Sequence, residues 1–159
     1  MHGVLEYGLA TPEDIAGKTG RQILQAIIAG ELPQAPISQT MSFWISEVGD
    51  GFAVFEGDPS GDLLNPMGTV HGGWALTLID SACACAAHSL LPPDTGYITI
   101  ETKANFARPI TKDTGRIRAK AHVVARGRKI ISAEAKVSGP DGKVVAHGTS
   151  TVLVLNGAR

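Results

Sequence analysis

Residues 65–73 read Asn-Pro-Met-Gly-Thr-Val-His-Gly-Gly, and a single carboxylate, Asp80, follows seven residues later in an otherwise apolar run. The pair Gly72-Gly73 opens a predicted helix, where backbone N–H groups lack helical partners and carry partial positive charge. Such a helix start can stabilise an oxyanion. A lone acid among hydrophobic residues costs free energy unless it has a partner or a chemical role. Together the two features indicate a site for acyl chemistry.

The helix that begins at this motif is predicted to run from about Val70 to Leu90 and to be buried. It is apolar on nearly every side, which is typical of a helix packed in a core. Leu91-Pro92-Pro93 ends it, because proline cannot continue a helix. The apolar residues include Trp74, Leu76, Leu78, Ile79, Ala82, Cys83, Ala86 and Ala87.

The segments on both sides of this helix have the alternation of β-strands. Before it, a strand from about Met41 and a second strand from Phe52 flank the turn Gly49-Asp50-Gly51. After it, four β-segments are predicted at about 96–107, 114–126, 129–138 and 143–155. Gly127 centres one hairpin, and the pair Asp141-Gly142 predicts a type I′ turn in another. Sequential hairpins imply an antiparallel sheet with the buried helix on its face, an α+β fold.

The first forty residues are predicted to form a helical extension, separate from a domain at 41–159. Thr11-Pro12 is a typical helix start, and Thr19 with Gln22 forms a capping-box pattern. An apolar stripe follows and ends at Gly30. Gly17-Lys18-Thr19 mimics the end of a phosphate-binding loop, but the required earlier glycine is replaced by Pro12.

Composition limits the classes of function. The chain has 159 residues, 43% of them hydrophobic, and a net charge of −1, which argues against nucleic-acid binding. It has neither a signal-peptide pattern nor an apolar run long enough to span a membrane. Cys83 and Cys85 fit neither a disulfide framework nor a metal site, so a reducing cytoplasm is expected. The five histidines have no metal-ligand spacing.

The motif also has plainer interpretations. His71-Gly72-Gly73 can be a simple turn, and Asp80 can be a structural acid bonded to Thr77, Ser81 or a neighbouring strand. Asp80 lies two helical turns from Gly73, roughly 10 Å along the axis. A catalytic role therefore requires either a ligand that bridges this gap or a second copy of the helix.

The spacing resembles the signature of hotdog-fold acyl-CoA thioesterases of the phenylacetate-pathway (PaaI-like) branch. Asn65 precedes His71 by six residues, and Asp80 follows it by nine, as in that family. The similarity extends to Thr99-Ile100-Glu101 and to residues 106–109, and it covers about residues 41–155. It implies an antiparallel sheet wrapped around one long helix.

The resemblance also implies a catalytic role for each residue of the motif. Asp80 acts as general base or nucleophile on the thioester, and the N–H of Gly72, with that of Gly73, holds its oxygen. Asn65 orients the water or the carbonyl, and Thr99 hydrogen-bonds the water or the acid. Asn65 and Gly72 come from one subunit and Asp80 from the other, so a homodimer is required, and a homotetramer is common. Coenzyme A belongs to the substrate, and no metal or other cofactor is needed.

Several further residues have two interpretations each. His71 is a candidate general base, but a role in fixing the turn is favoured, and with Gly73 it is expected to contact the substrate. Arg126, Arg128 and Lys129 form either a solvated hairpin tip or a contact for the phosphates of coenzyme A. Arg108 is a second candidate for that contact.

Three other functions compete with hydrolysis: a non-catalytic acyl-CoA sensor, a hotdog hydratase or dehydratase, and a structural oligomer. Retention of Asp80, Asn65 and Thr99 argues against the sensor, and the Asp–His pair of hydratases is not apparent. Trp74 and Phe106 fit a pocket for either an aryl or a medium-chain acyl group, so the sequence does not define the acyl group.

Overall fold

The computed structural model describes residues 5–156 and contains one six-stranded antiparallel sheet with a long helix packed on it. The strand order is β1-β2-β4-β5-β6-β3. This confirms the predicted α+β hotdog architecture. The helices are α1 (Pro12–Ile15), α2 (Gly20–Ala29), α3 (Pro36–Thr40) and α4 (Gly72–His88). The strands are β1 (Phe43–Gly49), β2 (Phe52–Gly57), β3 (Thr95–Phe106), β4 (Ile117–Arg126), β5 (Ile130–Ser138) and β6 (Val144–Asn156).

Helix α4 contacts all six strands and forms the centre of the core. Its apolar composition leaves no polar face to solvate, which explains why the sheet covers it. Trp74 is 1% exposed, and its indole N–H donates to the Met41 carbonyl oxygen at 2.7 Å, so it belongs to the core. The sheet nevertheless leaves one stripe of α4 half exposed. That stripe consists of Gly72, Gly73, Leu76, Thr77, Asp80, Ser81 and Cys85.

Both predicted hairpins are present, but the prediction of a type I′ turn at Asp141-Gly142 was wrong. Of the two central residues, only Gly142 has positive φ (76°), whereas a type I′ turn requires it at Asp141 as well. Gly142 N–H donates to the Gly139 carbonyl oxygen, and Gly139 N–H donates to the Lys143 carbonyl oxygen. The chain thus makes a four-residue turn from Gly139 to Gly142, in which Gly142 has a left-handed backbone. The strand register shifts next to this turn.

Strand β3 lies at one edge of the sheet and contains a β-bulge. It pairs only with β6 among the described strands, and the register shifts between Thr99 and Glu101, leaving Ile100 as the additional residue. The exposed apolar side chains Ile98, Ile100 and Phe106 lie along this strand. A long apolar edge is a ready template for pairing with another chain.

The first two helices begin where the sequence predicts, and α2 also ends there. Thr11 and Thr19 cap α1 and α2, and the reciprocal bonds between Thr19 and Gln22 are present. Gly30 ends α2 with a φ of 77°. Helix α3 was not predicted. Helix α2 is docked on the end of α4, where Gly20 N–H donates to the Leu91 carbonyl oxygen.

The docking of α2 depends on a missing side chain at Gly20. A Cβ at this position would lie 1.9 Å from the His88 carbonyl oxygen, so the backbones must separate if one is added. We expect Gly20→Ala to destabilise the docking by about 1–3 kcal/mol. Limited proteolysis should then cut the first forty residues faster, with the sheet intact. Gly61→Ala is the control, because its Cβ meets nothing within 4 Å; equal protection in both variants would contradict this account.

Candidate active site

The loop before α4 is held together by the Asn65 side chain. Its Oδ1 accepts the N–H groups of Met67 (2.9 Å) and Thr69 (3.3 Å), and its Nδ2 donates to Thr69 Oγ1 (2.9 Å). A positive φ of 80° at Gly68 completes the turn. Asn65 therefore shapes the loop, and one Nδ2 hydrogen remains for a further acceptor.

The start of α4 leaves one backbone donor free. His71 is the N-cap, and its Nδ1 accepts the N–H of Gly73 at 2.9 Å. This bond agrees with a role of His71 in fixing the turn, and because Nδ1 accepts, Nε2 carries the ring proton in the neutral imidazole. The expectation that the Gly73 N–H helps to hold the thioester oxygen is revised, because this N–H is already bonded to His71. Within residues 5–156 the Gly72 N–H has no acceptor, so it is the available donor.

A groove of about 280 Å³ opens beside Gly72. Phe106 forms one wall, and a Cβ added at Gly72 would lie 3.1 Å from its Cζ atom. Arg108 also lines the groove. This volume is at the low end for a small-molecule site.

Asp80 receives a hydrogen bond from the neighbouring edge strand. Thr102 Oγ1 donates to Asp80 Oδ1 at 3.0 Å, and Thr102 Oγ1 is 2.9 Å from Ser150 Oγ. Thr77, an alternative partner, instead donates to the Gly73 carbonyl oxygen. The second carboxylate oxygen has no partner in the described part of the chain. The acid is thus anchored on one side and open on the other.

The hydroxyl that bonds the acid is Thr102, whereas Thr99 was expected. Thr99 is exposed and has no side-chain partner among the described residues. Thr102 and Ser150 were missed because the bulge at Ile100 changes which β3 side chains face the helix. One signal was available: Ser150 interrupts the apolar alternation of the buried face of β6.

A single chain does not bring Gly72 and Asp80 together. Eight helical residues separate them by roughly 12 Å along the axis. This supports the distance argument made from the sequence. If both groups act on one thioester, either the ligand spans that distance or two copies of α4 contribute one group each.

The basic hairpin tip lies at the other end of α4. Arg126 Nη2 donates to the Leu90 carbonyl oxygen at 2.9 Å, beyond the helix end at His88. That helix end is roughly 24 Å from Gly72 along the axis. Arg128 and Lys129 are exposed at the same tip. The cluster is therefore remote from the Gly72 of its own chain, whereas Arg108 is adjacent to it.

Other candidate sites give no chemistry of this kind. A cavity of about 390 Å³ lies between the N-terminal helices and the end of α4, but its lining includes neither Gly72 nor Asp80. Among residues 5–156, no cluster of three or more His, Cys, Asp or Glu side chains is placed to hold a metal ion. In the same range no helix is sufficiently long and apolar to cross a membrane.

Comparison with known proteins defines the family. The chain belongs to the Thioesterase superfamily, whose family model matches residues 67–146. A conserved protein from Pseudomonas aeruginosa is 32% identical, covering 76% of this chain and 94% of that one, with a TM-score of 0.70. A comparison with curated protein sequences finds no significant match.

Two further solved structures are similar over most of their length. A mutant of the phenylacetic acid degradation protein PaaI from Thermus thermophilus is 29% identical, covering 74% of this chain and 97% of that one, with a TM-score of 0.67. A thioesterase family protein from Silicibacter pomeroyi is 28% identical, covering 86% and 98%, with a TM-score of 0.73. The resemblance to PaaI-like hotdog thioesterases is thereby confirmed.

The two cysteines on α4 are predicted to be unreactive in the folded protein. Burial, assisted by the charge of Asp80, raises the pKa of the Cys83 thiol to about 12. Cys85 lies at the end of the half-exposed stripe, but desolvation of its thiol raises that pKa to about 12 as well. Because the thiolate is the reactive form, iodoacetamide at about pH 8 should label both slowly, and rapidly after denaturation. Mass spectrometry measures the labelling. Fast native modification of Cys83 would contradict this assignment.

Proposed function

We propose that this protein hydrolyses an acyl-CoA thioester to a free carboxylic acid and coenzyme A. The observation that carries the proposal is the half-exposed stripe of α4, which presents an unbonded Gly72 N–H and an anchored Asp80 carboxylate. Membership of the Thioesterase superfamily supports it. These are the two groups that ester cleavage needs, a donor for the oxyanion and a base or nucleophile.

In the water-activating route, Asp80 accepts a proton from a water molecule while the oxygen of that water attacks the thioester carbon. The carbonyl oxygen becomes negative and is held by the Gly72 N–H. The tetrahedral intermediate then collapses, the carbon–sulfur bond breaks, and the proton passes to the leaving thiolate. In the alternative route the Asp80 carboxylate attacks the thioester carbon, the carbon–sulfur bond breaks, and coenzyme A leaves as the thiolate. Water then hydrolyses the resulting anhydride to the free acid and the Asp80 carboxylate, and the proton released passes to the thiolate. Asn65, with its remaining N–H, orients the water or the carbonyl in both routes, and Thr99 is a further candidate for the water.

The site is completed by a homodimer in this proposal. The unpaired edge of β3 and its apolar side chains favour pairing with a second β3. In a two-fold dimer every contact occurs twice, so Gly72 and Asn65 of each subunit serve Asp80 of the other. The exposed side chains of Ile98, Ile130 and Leu155 then favour a second interface and a homotetramer.

The remaining assignments follow from this arrangement. Arg108 contacts the substrate beside Gly72. The tip residues of the subunit that supplies Asp80 bind the phosphates of coenzyme A; these are Arg126, Arg128 and Lys129. The reaction uses no metal or prosthetic group. The acyl group is aryl or medium-chain aliphatic, with Phe106 at the groove. Two free thiols fit the reducing cytoplasm.

Thiol release from a panel of aryl and aliphatic acyl-CoAs tests the function directly. We expect turnover on one class, and a loss of about 10²–10⁴ in kcat for Asp80→Asn, because the amide cannot accept the proton. Acyl-CoA affinity should remain, as measured by calorimetry. Tight binding with no thiol release from any substrate would reject hydrolysis and indicate a sensor.

The oxyanion role of Gly72 is tested by a variant that removes its N–H. Gly72→Pro suits the first helical position, and His71 already has the extended backbone (ψ 133°) that precedes proline well. We expect kcat to fall by about 10²–10³. Gly72→Ala is the matched control, because it adds a Cβ against Phe106 but keeps the donor. An equal loss in both variants would indicate a steric effect.

The shared site is tested by mixing the two inactive variants. After co-refolding, half of the dimers pair an Asp80→Asn subunit with a Gly72→Pro subunit. If each site takes Gly72 from one subunit and Asp80 from the other, one of the two sites in such a dimer has both groups intact. About a quarter of the wild-type activity should therefore return. If each subunit used its own pair of groups, every site would stay defective and no activity would return.

A further inference from the structure

Ser150 is a buried hydroxyl whose partners lead to the candidate active site. It is 1% exposed and lies on the face of β6 that contacts the helix, next to Val152. Its Oγ is 2.9 Å from Thr102 Oγ1 and 3.0 Å from the Glu101 carbonyl oxygen. A buried polar group requires such partners. Ser150 therefore joins β6 to the hydroxyl that bonds Asp80.

The bulge in β3 creates this connection. Thr99 pairs with Val152 and Thr102 pairs with Ser150, so both threonines face the helix although they are three residues apart. Strict alternation from Thr99 would instead turn Glu101 towards the helix and place a second carboxylate near Asp80. Bulges redirect side chains in this way and are common beside active sites.

Counting hydrogens gives the chain of bonds a direction. Each hydroxyl has one hydrogen to donate. An ionised Asp80 can only accept, so Thr102 donates its single hydrogen to Oδ1 and its oxygen remains free to accept. Ser150 then has one hydrogen for two acceptors, the Glu101 carbonyl oxygen and Thr102 Oγ1. Either way the Thr102 hydroxyl is oriented towards the carboxylate, and Ser150 lies behind it.

We propose that Thr102 and Ser150 are positioning residues for Asp80: they fix Oδ1 and leave Oδ2 to face the water or the thioester. This rests on the proposed function, because it assigns the pair a role in Asp80 chemistry. Thr102 acts on the acid directly, and Ser150 acts through Thr102. Neither residue contacts the substrate.

The surroundings of Asp80 make its response to these hydroxyls simple to measure. The titratable groups that interact with it on α4 are the Cys83 and Cys85 thiols, which stay neutral well above neutral pH because their pKa is raised. The charged side chains of the adjacent strands lie on the other face of the sheet. These are Glu101, Lys103, Glu134, Lys136 and His147.

The kinetic test compares Thr102→Val with Thr102→Ser. Loss of a hydrogen bond to a carboxylate should lower kcat by about 10-fold to 100-fold, with KM changed less than about threefold. Thr102→Ser should restore kcat, because it keeps the hydroxyl that bonds Asp80. Ser150→Ala should lower kcat in the same way but less.

Thr151→Val is the matched control, because it removes a hydroxyl bonded to Glu101 on the opposite face of the same strand. It should leave kcat and KM unchanged. A Thr102→Val variant with unchanged kcat would overturn the proposal, and so would a reduced kcat that Thr102→Ser does not restore, since that would indicate a merely structural role.

A second measurement separates this proposal from the proposed function. Carbon-13 NMR of the aspartate carboxyl groups, with Asp80→Asn for assignment, gives the chemical shift of the Asp80 carboxyl carbon at one fixed pH without any substrate. A chemical shift that changes in Thr102→Val and returns in Thr102→Ser supports the positioning role even if no acyl-CoA is hydrolysed. Hydrolysis that depends on Asp80, with an identical carboxyl chemical shift in wild type and Thr102→Val, would overturn the positioning role and leave the enzyme assignment intact.

Discussion

The packing of one apolar helix on one face of a single sheet is the constraint on which the other features depend. A sheet has only two faces and α4 is a cylinder, so the strands bury most of the helix and leave a stripe half exposed. That stripe contains both the free N–H of Gly72 and the carboxylate of Asp80. Helix geometry fixes their separation at roughly 12 Å, a spacing that no side-chain rearrangement can close. The proposed sharing of sites between subunits follows from this rigid distance.

Hydrogen bonds within the site decide which groups remain available. His71 Nδ1 binds the Gly73 N–H, and the loop N–H groups occupy the Asn65 carbonyl. Thr102 occupies one oxygen of Asp80. The groups left for a ligand are the Gly72 N–H, one hydrogen of Asn65 and the second oxygen of Asp80. Because the neighbouring bonds are internal, these groups are fixed in place before any ligand binds, as electrostatic stabilisation of a transition state requires.

The edge strand β3 links the site to the proposed dimer. Its inner face supplies Thr102 beside Asp80 and Phe106 beside Gly72. Its outer edge is unpaired and apolar side chains lie along it. A strand that both positions the acid and pairs with a second subunit would couple assembly to activity. The basic tip at Arg126, remote from Gly72 in its own chain, is compatible with the same arrangement.

Much of the fold was predictable because local rules and tertiary packing agree. Apolar alternation predicted the strands, the apolar run predicted α4, and Thr19 with Gln22 predicted the start of α2. The sequence motif also singled out Gly72 and Asp80, whose catalytic roles stay a prediction. The hydrogen bond from Thr102 to Asp80 was not predictable. A single additional residue at Ile100 moves every later side chain of β3 to the opposite face of the sheet, so that Thr102 faces the helix. Nor could the sequence show that Gly73 is already bonded or that Ser150 supports Thr102. The sequence by itself determined the elements and the reactive residue types, since these depend on periodicity and local capping. Only the tertiary structure decided which hydroxyl bonds Asp80 and which N–H at the start of α4 is left without an acceptor among the described residues, because these depend on strand register and on the bonds that neighbouring groups make.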